Sequence, residues 1–204
     1  MTPVPRFVLA SASPARLRTL RAAGLDPQVD VSGVDESTVT GPAADVALTL
    51  AVRKAMAVAA RQPDALVLGC DSVLELDGQA MGKPADAAEA VARWRRMRAA
   101  SGLLHTGHAL VDTRSGRQTA AVASTVVHFA DVDDDEITAY VATGEPLLVA
   151  GAFTVDGRGA AFVAGIEGDH TNVIGVSLPL LRRLVDELGI RYVDLWTSRG
   201  PGTT

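Results

Sequence analysis

Lysine is nearly missing from this chain of 204 residues. Of its 19 basic residues, only Lys54 and Lys83 are lysines; the other 17 are arginines. Alanine, by contrast, is abundant. The skew reads as a coding bias toward Arg and Ala. If Lys is replaceable almost everywhere, the two that remain mark places where Arg does not serve. A compact, flexible point charge and a rigid planar fork differ in what they can bind, and a phosphate site is one place where that matters.

Other scarcities exclude whole classes. The one cysteine, Cys70, has no partner for an internal disulfide, which fits a reducing, cytoplasmic setting. No uncharged apolar run approaches the ~18–20 residues that span a bilayer, so no membrane insertion is expected. Residues 6–12 look superficially like a signal peptide. Their apolar stretch is shorter than the roughly 7–15 residues such a segment needs, and Arg16 and Arg18 follow closely. That stretch reads as a first strand. There is no basic tail, and the net charge of −5 argues against a polymeric nucleic acid as partner, while leaving room for a local basic pocket. No internal repeat or linker interrupts the chain. With 48% hydrophobic and 21% charged residues, it is a globular sequence, expected to form a single domain over 1–204 with two lobes around a cleft.

What is there alternates between strand and helix signals. A short strand at 7–11 leads to Ser13-Pro14, where Ser caps a helix and Pro suits its first position. That helix shows Leu17, Leu20 and Ala23 on one face and stops at Gly24. Residues 28–34 read as extended, and 42–60 as a long Ala-rich helix with Val46, Leu50, Val52, Ala55 and Met56. The apolar run 65–70 reads as a buried strand delivering Asp71 and Ser72 at its end. Asp77-Gly78 marks a hairpin within 73–81. A helix over 86–100 follows Lys83-Pro84. Strands are expected at 106–113 and 118–129, a helix at 133–142, a Gly-rich loop over 144–159, a strand at 160–166, a helix at 178–188, a last strand at 190–195 and a frayed end at 199–204. Hairpins among βα alternations point to a mixed α/β sheet rather than a purely parallel one.

Four junctions could carry chemistry. At the first, Ser11, Ser13 and Arg16 surround free N–H groups of a helix N-terminus, an arrangement that receives anions but equally describes a capped helix with a surface Arg. At the second, Asp71 could bind a divalent metal, act as a base toward water, or simply brace a turn. The third is Lys83, which the hairpin could fold back over Asp71; its rarity favours function over a solvated surface role. The fourth is Asp35-Glu36, a weaker metal candidate. Lys54 alone is compatible with a solvated helix face. The run Asp131, Asp133, Asp134, Asp135 and Glu136 reads as a helix start. His105 and His108 lack metal-like spacing. Cys70 has no nearby His to activate it.

Taken in order, these junctions resemble the Maf family of nucleoside triphosphate pyrophosphatases, first linked to septum formation. The segments are Ser11-Ala12-Ser13-Pro14-Ala15-Arg16, Asp35-Glu36, Leu50-Ala51-Val52-Arg53-Lys54-Ala55, Gly69-Cys70-Asp71-Ser72, Gly82-Lys83-Pro84, Ala150-Gly151-Ala152-Phe153 and the stretch from Gly168 to Gly175. The likeness spans about 7 to 195. It implies an elongated central mixed sheet flanked by helices, with two lobes around a nucleotide cleft, similar to inosine triphosphatases. It implies cleavage between the α and β phosphates of a nucleoside triphosphate, a divalent Mg2+ or Mn2+ ion, and a homodimer. By the same resemblance, Ser11, Ser13, Arg16, Lys54 and Lys83 neutralise and orient the triphosphate. Glu36 and Asp71 hold the metal, and Asp71 positions or deprotonates water. Glu145 and Gly151 lie near the nucleotide.

The departures from the family pattern concern specificity. Ala15 stands for an Arg, Ser72 for a Thr and Asp156 for a Gln at three positions associated with choosing the base. All three differ from the dTTP/UTP type, so that substrate is not assigned. Asp156 accepts hydrogen bonds, where a Gln both accepts and donates. Leu147-Leu148-Val149 lacks a Lys often found there, and 101–107 is shortened. The alternatives are a nucleotide-binding regulator of division without catalysis and a nucleotidyltransferase. The latter would need an early Lys, and none precedes Lys54.

Overall fold

The computed structural model describes residues 5–197, so the frayed end expected at 199–204 lies outside the described residues. Seven strands form one mixed sheet: β1 (Arg6–Leu9), β2 (Gln28–Val29), β3 (Ala65–Leu76), β4 (Gln79–Met81), β5 (Ser101–Asp112), β6 (Arg117–Phe129) and β7 (Val163–Glu167). Their order is β2-β1-β3-β5-β6-β7, with β4 added to β3. The helices are α1 (Pro14–Ala22), α2 (Ala43–Ala59), α3 (Ala87–Met97), α4 (Asp134–Ala142), α5 (His170–Ile174) and α6 (Leu178–Glu187).

The centre of the fold is β3, which does not stop at 70 as its apolar run suggests. Its pairing with β5 continues from Leu66↔Asp112 to Glu75↔Leu103, through Asp71 and Ser72. Sheet hydrogen bonds are made by backbone, so two polar side chains in mid-strand do not end the ladder. On its other edge β3 has two partners in tandem. Parallel β1 covers Ala65 to Leu68, and antiparallel β4 covers Leu74 to Leu76. Among the described residues, no strand covers the edge between them. The β3–β4 hairpin turns on Asp77 (φ 51°) and Gly78 (φ 72°), the left-handed pair that a two-residue turn of this hand requires.

Alternation sorts the side chains of β3. Leu66, Leu68 and Cys70 enter one core with Leu9, Leu110 and Leu181; Leu74 and Leu76 enter a second with Trp94, Phe129 and Tyr140. Ser72 is the residue on that face between the two cores. On the opposite face lies α2. A Cβ added to Gly69 would come within 2.2 Å of the Ala51 carbonyl oxygen, and one added to Gly107 within 2.2 Å of that of Ala47. Helix and sheet therefore touch backbone to backbone. The buried stripe of α2 is Ala43, Ala47, Leu50, Ala51, Lys54, Ala55 and Val58; Met56 points outward. The alanines Ala47, Ala51 and Ala55 permit so close an approach, and the larger Val46, Val52 and Met56 lie outside that stripe.

Several other expectations need correction. The final strand at 190–195 is a 3-10 turn, Tyr192–Leu195, whose Leu195 and Tyr192 pack on the first core. The sequence alternates like a strand there, but local bonds win: Arg191 grips Asp194 bidentately at 2.5 and 3.0 Å. The strand at 160–166 begins only at Val163, after a 3-10 turn, Arg158–Phe162. The extended stretch at 28–34 pairs only at Gln28–Val29, and β5 begins at Ser101 rather than at 106. The loop 144–159 is built of 3-10 turns, and α5 had no counterpart in the sequence reading.

Candidate active site

The break in the β3 edge gathers the candidate residues. Beyond the last β1 contact, where the Ala10 amide donates to Leu68, the chain turns through Ser11 and Ser13 into α1. From the other side, the antiparallel register Leu74↔Met81, continued past β4, brings Lys83 level with Ser72. Asp71 and Ser72 lie on β3 between these two approaches.

Asp71 faces α2. Gly107 is its partner on β5, and the close seating of α2 over Gly69 and Gly107 lowers Lys54 directly onto it. The Lys54 Nζ lies 2.5 Å from Asp71 Oδ1 and 2.6 Å from Glu36 Oε1, with only 9% of the lysine side chain exposed. Lys54 is thus a buried bridge between two carboxylates, not a solvated residue. Burial pushes the Asp71 carboxyl above the ordinary range, Lys54 and Arg16 oppose this, and Glu36 adds to it. Asp35 turns away and accepts from the Ser37 amide and hydroxyl, so only Glu36 of that pair reaches the site.

Arg16 approaches from the opposite face of the sheet. It is buried, and its Nε donates to the Gly175 carbonyl at 2.8 Å, Nη1 to Ser11 Oγ at 3.0 Å and Nη2 to Ser72 Oγ at 3.0 Å. Among the described residues, no carboxylate lies within ion-pair distance of it. A buried guanidinium surrounded by neutral oxygens keeps its full charge for an anion, and the α1 N-terminus beside it adds to the positive potential. Ser13 caps that helix, accepting from the Arg16 amide at 3.4 Å.

Other candidates fall differently. Lys83 is exposed, its side chain has no polar partner among the described residues, and the hairpin does not close it onto Asp71. Its turn is nonetheless pinned, since Gly82 O accepts from Arg93 Nη1 at 2.6 Å and from the Gly151 amide at 3.1 Å. Gly151 (φ 72°) packs so closely on Leu74 that a Cβ would meet it at 2.9 Å. Glu145 is occupied by its own loop: it accepts from Thr154 Oγ1 (2.6 Å), Tyr140 Oη (3.0 Å) and the amides of Gly159 (3.0 Å) and Arg158 (3.1 Å). Asp156 is exposed and pairs at 3.0 Å with Arg18 of α1. Ala15 is half-buried on α1.

The bland readings hold at several positions. Asp133 and Glu136 form a capping box at the start of α4. His108 is buried and neutral: Nδ1–H donates to Thr106 O at 3.0 Å and Nε2 accepts from the Ser177 amide at 2.8 Å, with burial pulling its pKa down to about 4. His105 is held by Ser124 at 2.8 Å. Burial pushes the Cys70 thiol up to about 12, so it is no nucleophile. Two residues to which the sequence assigns no role stand behind the site: Thr106, fully buried beneath Ser72, and Asn172 beyond it. A polar residue in an apolar strand is the available signal at Thr106; Asn172 is marked only by its place in the segment from Gly168 to Gly175.

Fold and site together define an α/β protein in which a buried arginine and a pair of carboxylates meet at a break in the sheet edge. Residues 6–188 match the family described as Maf-like protein, and the chain belongs to that family. It is 64% identical over 201 residues to a nucleoside triphosphate pyrophosphatase of Streptomyces coelicolor, covering 96% of this chain and 98% of the relative. A protein of the same name from Salinispora tropica is 62% identical, with 97% and 90% covered, and one from Synechococcus elongatus is 58% identical, with 95% and 98% covered. No helix among the described residues is long and apolar enough to cross a membrane.

Proposed function

We propose that this protein is a hydrolase of acid anhydrides that cleaves a nucleoside triphosphate between its α and β phosphates, releasing a monophosphate and pyrophosphate. The observation that carries the reading is the buried Arg16, which no described carboxylate reaches within ion-pair distance, at the same break in the sheet as Asp71. A triphosphate brings about four negative charges, which Arg16, Lys54, Lys83 and the α1 N-terminus would receive with the hydroxyls of Ser11 and Ser13. Asp71 is the base that positions or deprotonates the attacking water, a task that burial, by pushing its carboxyl up, favours.

The donor set fits a hard divalent cation such as Mg2+ or Mn2+. Glu36 and Asp71 already direct carboxylate oxygens onto one point charge, the Lys54 ammonium. No group of three or more acidic, His or Cys side chains forms a protein cage among the described residues, so such an ion would share its shell with phosphate and water. When bound, it supplies charge neutralisation at the phosphates. Base selection falls to Ala15 on α1, Ser72 on β3 and Asp156, the last on a loop that Glu145 holds in place; Asp156 offers an acceptor to a base amino or imino group. The homodimer that the resemblance implies, and the cytoplasmic setting that the single cysteine fits, belong to the same reading.

The test is a panel of canonical and modified triphosphates with Mg2+ or Mn2+, scored for products. Monophosphate plus pyrophosphate is expected; orthophosphate release would sink the bond assignment. Asp71→Asn should lower turnover about 100-fold or more, as for loss of a central acid–base group. Near-normal turnover would remove Asp71 from the mechanism.

A further inference from the structure

Ser72 sits under Arg16, and its own orientation is set from below. Its Oγ lies 3.0 Å from Arg16 Nη2 and 2.9 Å from Thr106 Oγ1, the residue paired with it across β5. Thr106 Oγ1 in turn lies 3.2 Å from the Asn172 carbonyl oxygen. A hydroxyl has one proton and two lone pairs. A carbonyl has no proton to give, so the Thr106 proton goes to Asn172. The Ser72–Thr106 bond is then donated by Ser72. With its proton committed, Ser72 can only present a lone pair toward the guanidinium, which can only donate. The chain of directions runs one way, from Arg16 through Ser72 and Thr106 to the backbone that precedes Gly175. The carbonyl of Gly175 closes the circuit by accepting from Arg16 Nε.

We propose that Thr106 is a positioning residue for polyphosphate binding: by accepting the Ser72 proton it holds Ser72 as an acceptor, and so keeps Arg16 aimed into the cleft. Thr106 is fully buried, so it acts through Ser72 rather than by direct contact with a ligand. The device orients a cation without neutralising it, which a carboxylate in the same place would do. With Val at 106, the Ser72 proton loses its acceptor and is free to turn toward Arg16, where donor would face donor. The inference rests on the reading of Arg16 as a phosphate ligand.

The experiment measures binding of inorganic tripolyphosphate by calorimetry, together with KM and kcat for the preferred triphosphate, in Thr106→Val, Thr106→Ser, Ser72→Ala and the Val/Ala double variant. Thr106→Val should weaken tripolyphosphate binding about tenfold, the scale of one misdirected hydrogen bond to a charge, and raise KM more than it lowers kcat. Thr106→Ser should restore both. The double variant should bind no worse than Ser72→Ala, because both changes break one relay. Wild-type affinity in Thr106→Val, failure of rescue by Ser, or additive losses would each overturn the proposal. If Thr106→Val does not fold, the comparison of Thr106→Ser with wild type decides, equal affinity being expected and a loss counting against it. A wild-type protein that binds tripolyphosphate but releases no pyrophosphate from nucleotides defeats the proposed reaction and leaves the relay intact. One that does not bind tripolyphosphate defeats the Arg16 reading and the relay with it.

Discussion

Lys54 shows what a surviving lysine does in an arginine-rich chain. Its Nζ meets two carboxylates at 2.5 and 2.6 Å beneath a helix seated backbone to backbone on the sheet. A guanidinium is wider than this space and binds in a plane, so charge alone does not make Arg equivalent. Lys54→Arg should lower kcat/KM at least about tenfold and cost about 1–3 kcal/mol of stability, the usual penalty for overfilling a packed site. Lys83 is exposed and has room for a larger head group. Lys83→Arg should therefore be the milder change in both pyrophosphate release and thermal melting. Equal losses in the two variants would mean that both positions demand an ammonium, as the composition alone suggests. Scarcity drew attention to Lys54, but the sequence left it compatible with a solvated helix face. It recurs at helical spacing with Ala47, Leu50, Ala51, Ala55 and Val58, yet alanines mark a close contact only when glycines face them across the interface.

Elements depend on what lies beside them as much as on their own residues. The ends of α1 and α4 were legible because Ser13 and Asp133 cap locally, and the Asp77-Gly78 hairpin because its φ angles are a property of two residues. The length of β3 was not, since β5 sets it; nor was the turn at 192–195. The loop carrying Asp156 owes its shape to Glu145. Burial pushes that carboxyl up, but bonds from Thr154, the Gly159 and Arg158 amides and Tyr140 outweigh it and pull it from an ordinary 4.5 down to about 2. A carboxyl with a depressed pKa stabilises the fold above its unfolded value and loses that contribution as pH falls. Thermal stability supplied by this loop is therefore expected in full above pH 4.5 and should fade as the pH drops toward 2. Glu145→Gln sets an NH2 against an amide N–H, should cost about 1–3 kcal/mol at neutral pH, and should flatten this acid dependence. A melting-versus-pH curve parallel to that of the wild type would show that Glu145 does not carry it.

At the scale of the whole molecule, one strand serves two cores, and the candidate site lies where its polar residues separate them. Leu66 and Leu68 belong to one core, Leu74 and Leu76 to the other, with Ser72 between. A ligand bound there contacts groups organised by both cores, so binding should stabilise the molecule as a unit. A non-hydrolysable α,β-methylene triphosphate at about 100 times its Kd should add ~2.7 kcal/mol, seen as one cooperative upward shift in Tm. Arg16→Ala should lose most of that shift at the same concentration; an undiminished shift would place the triphosphate elsewhere. The sequence by itself determined the mixed α/β class, the order of the junctions and the identity of the groups that meet there, because caps, tight turns and apolar periodicity are local properties. Only the tertiary structure decided that Lys54 is buried between Glu36 and Asp71, that Arg16 lacks a described counter-ion, that Glu145 serves its own loop and that Thr106 stands behind Ser72. Those facts depend on which strands share an edge and how closely a helix can approach them, and neither is set by residues near one another in the chain.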